Sequence, residues 1–245
     1  MDFELSEDHQ AIRDAARDFA QSQIAPIAAE MDARGEFPSE TIAQMGELGL
    51  MGIEVPEEYG GAGGDFGHEA VILIEAARAN LASWGHGIHS GIVAHYILAY
   101  GSEDQKKRWL PKMATGELIG AIAMTEPGTG SDLQSVRTTA LKDGNQYVVN
   151  GQKTFITNGQ TANLIIVVCK TDPGEGASGV SLMVVETDEA DGFERGRAPC
   201  RLGGEEFQHV VSTCEQGHGL RGGRRAWQQR QVFRFACRQK LVRSP

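Results

Sequence analysis

The most constraining feature of this chain is a change of pattern at Leu118. Before it, apolar residues recur at helical spacing; after it, they come in short β-branched runs. Upstream, Ser6 is placed to cap a helix whose first turn carries Glu7 and Asp8, where the positive helix end favours them. Ile12, Ala16, Phe19 and Ile27 make one apolar stripe, and Pro26 is expected to bend or end that run. A second helix is expected from Ser39 to Leu48, with Ile42, Met45 and Leu48 at three-residue spacing and Gly49 as its stop. The glycine-rich stretch from Val55 to Gly64 is non-helical. Helical runs follow near Glu69–Ala79 and Ile88–Tyr100, and Ser102 with Gln105 makes a capping box for another.

Downstream, Tyr147–Val149, Leu164–Val168 and Val180–Val185 read as strands. Asp143-Gly144-Asn145, Asn150-Gly151 and Asn158-Gly159 read as turns. Strands with no helices between them argue an antiparallel sandwich or barrel. The fold class is therefore α+β: an N-terminal all-α domain over 1–117, then a β-domain over 118–197. Residues 198–245 show neither period. Charge changes there too: 14 Lys+Arg against 30 Asp+Glu before residue 198, and 9 against 3 after it. Such a reversal marks a functional basic arm or foreign sequence. Arg221–Arg225 with Trp227, Phe233 and Phe235 would suit single-stranded nucleic acid, but the acidic remainder repels phosphate, so none is expected as a partner.

A chain of 245 residues supports two ordinary domains. No apolar run is long enough to span a membrane, and the acidic N-terminus lacks a signal-peptide core, so a cytoplasmic protein is expected. The four cysteines form no CxxC pair, which argues against zinc and against a disulfide framework. Cys169 reads as a buried strand thiol. His86, His89 and His95 do not share one helix face, and His209, Cys214 and His218 read as incidental; no metal is expected.

The chemistry-bearing segment is Ala121-Ile122-Ala123-Met124-Thr125-Glu126-Pro127-Gly128-Thr129-Gly130-Ser131-Asp132. It is a strand running into a Pro/Gly loop. Gly128 and Gly130 let a ligand approach the backbone, and the Thr125, Thr129 and Ser131 hydroxyls suit polar ring edges or phosphate oxygens. From these residues alone, a structural loop is an equal alternative.

The segment resembles the signature of the acyl-CoA dehydrogenase family. So do Gly46–Gly52 with Val55–Gly64, Gly101–Lys106 through Leu110-Pro111-Lys112, and Asn150-Gly151-Gln152-Lys153-Thr154-Phe155-Ile156-Thr157-Asn158-Gly159. The resemblance covers residues 1 to about 197 and is nearest the medium- to long-chain branch. It implies an FAD flavoprotein of fatty acid metabolism that desaturates an acyl-CoA between its α and β carbons and passes electrons to an electron-transfer flavoprotein-type acceptor. By motif match, Ile122, Ala123, Met124, Thr125, Gly130 and Ser131 would line the flavin, with Thr125 near its pyrimidine edge. Phe155, Ile156 and Thr157 would pack against the ring, with the Thr157 hydroxyl near N5, and Ser131 would also contact the CoA part of the substrate. Phe155 stands where many members carry tryptophan. From spacing alone Phe155 also reads as a strand aromatic, and Thr157 as the opening of a turn.

The family's C-terminal helical bundle supplies its catalytic glutamate and most oligomer contacts. Nothing in residues 198–245 resembles it, so no catalytic residue is assigned, and Glu205 and Glu206 have no motif support. Eight arginines, six glutamines and lost periodicity suggest that residues 198–245 are read in a shifted frame. The expectation is then a marginal product, a doubtful homo-oligomer, and either a dehydrogenase or a catalytically inactive flavin- and acyl-CoA-binding fragment.

Overall fold

The computed structural model describes residues 4–34, 39–79, 85–144, 146–190, 192–195 and, as backbone, 233–237. The described residues form two compact units that meet in sequence between Gly120 and Ala121.

The first unit is helical. Helix α1 (Glu7–Phe19) opens as expected, with the Ser6 side chain accepting from the His9 N–H. Ala16 and Phe19 of the apolar stripe are buried. The helix widens into a π turn at Ala20–Ile24 and ends with a turn at Pro26, as expected. Helix α2 (Ala28–Arg34) follows. Helix α3 (Ser39–Glu47) buries Met45, but Leu48 falls outside it and is half exposed. Gly49 takes φ 72°, the left-handed conformation that stops a helix and that only glycine adopts without strain.

Helix α4 (Phe66–Arg78) begins with a box in which the Asp65 side chain accepts from Gly67 and His68 N–H groups and the His68 ring returns to the Asp65 N–H. Glu75 of α4 is buried and takes a two-pronged contact from Arg17 of α1, at 2.9 and 3.0 Å, plus Arg78 at 2.7 Å. Burial resists the charge, but these guanidiniums hold the Glu75 carboxyl below the usual carboxylate range. The run from His86 to Tyr100 is one helical path: α5 (His86–Ile88), a π stretch (His89–Ala94) and α6 (His95–Tyr100). Helix α7 (Glu103–Ala114) has the Ser102/Gln105 capping box and buries Trp109, Leu110 and Met113.

The second unit is a mixed sheet: β1 (Gly120–Ala123), β2 (Thr139–Asp143), β3 (Gln146–Gly151), β4 (Leu164–Lys170), β5 (Val180–Glu186) and β6 (Phe233–Cys237). The order is β1-β4-β2-β3-β6, with β5 also on β4. Strand β4 is buried from Leu164 to Cys169, as a strand covered on both faces must be. β5 pairs antiparallel along its whole length, leaving β1 and β2 to share the other edge. The expected antiparallel pattern holds for β2–β3, β4–β5 and β3–β6; β2 meets β4 in parallel at Thr139–Lys170. Cys169 is a buried free thiol, which burial pushes up to about 12.

One expected turn is corrected. Asn150-Gly151 lies inside β3, opposite Thr139, because β3 runs on past Asn150. Gly151 is needed there for another reason: a Cβ would sit 2.2 Å from the Thr138 Oγ1. The other two turns stand: Gly144 has φ 58° and Asn158 φ 64°. Of residues 198–245, only β6 is described, as backbone pairing antiparallel with β3; Arg221–Arg225, His209, Cys214, His218, Glu205 and Glu206 lie outside the described residues.

Candidate flavin-binding site

The motif loop leaves β1 at Ala123 and closes a tight turn: Glu126 N–H donates to Thr129 O (2.9 Å) and Thr129 N–H returns to Glu126 O (3.0 Å). Pro127 and Gly128 form its tip. A Cβ on Gly128 or Gly130 would meet nothing within 4 Å, and neither has a positive φ. The fold itself therefore makes no demand for glycine at these two positions, and the space beside them is open. Thr129 is buried and its hydroxyl donates to Ser135 O, so that hydroxyl serves the loop and not a ligand, contrary to expectation. Ser131 and Gly130 are exposed, and Met124 and Thr125 are half-buried.

The second segment, 152–159, lies directly against the first. Thr154 N–H donates to Thr125 O at 2.9 Å. Lys153 is 1 % exposed, and its Nζ donates to Met124 O at 2.8 Å and Glu126 Oε1 at 2.9 Å. The Glu126 carboxylate also accepts from Arg137 N–H (2.7 Å), Thr138 N–H (2.9 Å) and the Thr138 hydroxyl (2.6 Å). Burial pushes its carboxyl up, but these donors outweigh burial and hold it below the usual carboxylate range. Burial holds the Lys153 ammonium below its usual value, with Glu126 opposing. A buried pair this fully bonded is a rigid clamp between the two segments.

Phe155 is not a strand residue. It stands outside the strands at φ 57°, a left-handed conformation costly for a side chain with a Cβ, and its side chain is 53 % exposed. Beside it, the buried Thr154 Oγ1 has no hydrogen-bond partner among the described residues. An exposed aromatic on a strained backbone next to an orphaned hydroxyl fits a ligand ring with polar edges. Ile156 is buried and Thr157 half-buried; Ile122 and Ala123 are buried in β1, so these three apolar residues can offer a ligand only backbone. Arg195 pins the turn after Thr157, donating to Gly159 O, Ala162 O and the Thr187 hydroxyl. Sequence reasoning singled out both segments but missed Lys153, Glu126, Thr138 and Thr154. A lone lysine has no periodicity to betray it, and its partners lie 27 and 29 residues away.

The histidines of the helical unit go to separate partners: His86 Nε2 to Glu69 Oε2, His89 Nε2 to Met113 O, His95 Nε2 to Glu54 Oε2. Among the described residues one group, His9, Asp65 and His68, brings possible metal-ligand atoms within 4.8 Å of one another. Asp65 Oδ1 is already taken by Gly67 and His68 N–H groups and by the His9 ring, at the positive end of α4. That end disfavours a cation, and the cluster is a helix cap. Among the described residues, no helix is long and apolar enough to cross a membrane.

The acyl-CoA dehydrogenase N-terminal domain profile matches residues 6–117, and the middle-domain profile matches residues 121–212. The long-chain specific acyl-CoA dehydrogenase, mitochondrial, of Sus scrofa is 44% identical over 201 residues, covering 81% of this chain and 46% of that protein. The chain thus spans about half the length of the curated relatives it matches. The crystal structure of acyl-CoA dehydrogenase from Geobacillus kaustophilus superposes with a TM-score of 0.85 at 40% identity, over 99% of this chain and 60% of that one. Acyl-CoA dehydrogenase complexed with FAD from Bacillus anthracis gives 0.78 at 30% identity, over 98% and 38%. Both profiles fall in order on the helical and sheet units described above, and by sequence and by fold the chain belongs to the acyl-CoA dehydrogenase family.

Proposed function

We propose that this chain forms the flavin- and acyl-CoA-binding part of an FAD-dependent dehydrogenase that desaturates an acyl-CoA thioester between Cα and Cβ. The carrying observation is the pair of segments clamped side by side, Met124–Ser131 and Lys153–Thr157, with an exposed strained aromatic and an orphaned hydroxyl at their junction. FAD, when bound, would supply the acceptor for a β-hydrogen leaving as hydride, while the α-proton would go to a carboxylate base. The protein's own part is positioning. The residues proposed to hold the ring are Met124, Thr125, Phe155 and Thr157, with backbone from Ile122, Ala123, Gly130 and Ile156; Ser131 is proposed for both flavin and CoA. An electron-transfer flavoprotein-type acceptor and a cytoplasmic setting belong to the same proposal.

No base is assigned among the described carboxylates: Glu126 is committed to Lys153 and Thr138. With no base assigned among the described carboxylates, the second reading is a flavin- and acyl-CoA-binding chain without turnover. The two separate on one spectrum. The chain is loaded with FAD, freed of oxygen and titrated with acyl-CoA thioesters. Bleaching of the flavin band supports the dehydrogenase. A flavin band that shifts but never bleaches supports the second reading, and a chain that takes up no FAD defeats both. The middle-domain profile runs to residue 212, past the expected frame change at 198; the altered frame proposed for the tail is tested by resequencing the gene, and an intact frame with the same tail refutes it.

A further inference from the structure

We propose that Lys153 is a positioning residue for the flavin site, acting through the peptide that joins Met124 to Thr125; the inference rests on the flavin reading above. A peptide unit is planar and trans, so the direction of its carbonyl fixes that of its N–H on the opposite side. The Lys153 ammonium holds the Met124 carbonyl at 2.8 Å. The Thr125 N–H therefore points away from Lys153. Thr154 N–H holds the next carbonyl, that of Thr125, at 2.9 Å. Two successive carbonyls are thus drawn to the second segment by donors on adjacent residues.

The ammonium is itself fixed. Glu126 Oε1 takes its second hydrogen bond, and Glu126 is locked by three donors from Arg137 and Thr138. Lys153 is 1 % exposed, so its ammonium is shielded from water and is held by protein partners. Without that charge the Met124 carbonyl loses its donor, and the peptide is free to rotate toward another. The ligand class is an electron-rich heterocycle edge: a ring carbonyl or imide of the flavin type, accepting from the oriented Thr125 N–H. Lys153 touches no ligand in this scheme.

The test uses the full chain and FAD as probe. Lys153→Met alone leaves the buried Glu126 carboxylate its three donors from Arg137 and Thr138 but no cation, and is expected to be destabilised, so the most informative variant is Lys153→Met with Glu126→Gln, which removes both charges. The proposal expects this double variant to keep a cooperative melt, to bind FAD about tenfold more weakly, as for one lost hydrogen bond, and to raise the flavin carbonyl stretching frequency in the infrared. Glu126→Gln alone keeps the Lys153–Met124 contact and is expected to leave that frequency unchanged. A folded double variant with wild-type FAD affinity and an unshifted carbonyl band overturns the assignment, as does an equal shift in Glu126→Gln alone. Failure of the wild-type chain to bind FAD overturns the flavin reading instead, so the two failures are distinguishable. If the double variant does not fold, Lys153→Met alone provides the measurement, since Glu126 keeps its Arg137 and Thr138 donors and methionine cannot donate to the Met124 carbonyl; an unshifted carbonyl band in it also overturns the assignment.

Discussion

The Gly120 N–H donates to His89 Nδ1 at 2.9 Å while His89 Nε2 meets the Met113 carbonyl at 3.1 Å. This double contact fixes a neutral imidazole, with its proton on Nε2 and its lone pair on Nδ1. Burial and the nearby His86 push the His89 value down to about 3.

That depression predicts acid sensitivity. The unfolded chain takes up a proton near pH 6.5 that the native His89 refuses. Stability is therefore full above that pH and falls by about 1.4 kcal/mol per pH unit below it, until pH approaches 3. Glu126 and Glu75, both held below the usual carboxylate range, add to the loss at lower pH. Urea midpoints at pH 7, 6 and 5 measure the slope. The His89→Gln variant is expected to be weaker at pH 7 but flatter with pH; a slope parallel to wild type would sink this account.

Phe155 predicts opposite effects on stability and binding. Its left-handed backbone costs about 1–2 kcal/mol relative to glycine. Phe155→Gly is expected to recover roughly 1 kcal/mol of that in a ligand-free melt, after the entropy penalty of glycine. It is also expected to weaken FAD binding. A variant that loses both stability and affinity would mean that the ring packs on the protein itself.

Gly151→Ala places a methyl 2.2 Å from the Thr138 Oγ1 and 2.7 Å from its Cα. Backbone cannot yield as a side chain does, so the variant is expected to lose about 1–3 kcal/mol. Thr138 also holds Glu126, and FAD affinity is expected to fall with stability. Wild-type melting of this variant would show that β3 and Thr138 are not so closely apposed.

Arg17→Met removes the two-pronged partner of the buried Glu75 but leaves Arg78. The loss is expected to fall short of the about 3–5 kcal/mol seen when a buried charge is wholly abandoned. Arg17→Met with Glu75→Leu should restore much of it. Denaturant midpoints of both variants decide; a double variant weaker than the single would show that Glu75 does more than answer Arg17.

Much of the fold was legible because it rests on local signals. Ser6, and Ser102 with Gln105, cap the helices that the sequence assigns to them, since a cap needs only residues three apart. Leu164–Val168 is a strand because its apolar run is buried on both faces. Asn150-Gly151 misled because an Asn-Gly pair favours a turn only where nothing else claims the glycine, and Thr138 does. Thr129 misled because its hydroxyl meets a carbonyl six residues on, in a loop whose path has no periodicity.

The sequence by itself determined the change from helices to strands, the strands Tyr147–Val149, Leu164–Val168 and Val180–Val185, and the caps at Ser6 and Ser102. Each follows from neighbours a few residues apart, whereas the two segments of the candidate site stood out through their resemblance to a family. Tertiary structure alone decided that Lys153 reaches Met124 and Glu126, that β2 meets β4 in parallel, and that Phe155 takes a left-handed backbone. These depend on which distant groups end up within hydrogen-bond reach in a buried place. There a charge must find its partner, and no local pattern says which partner that is.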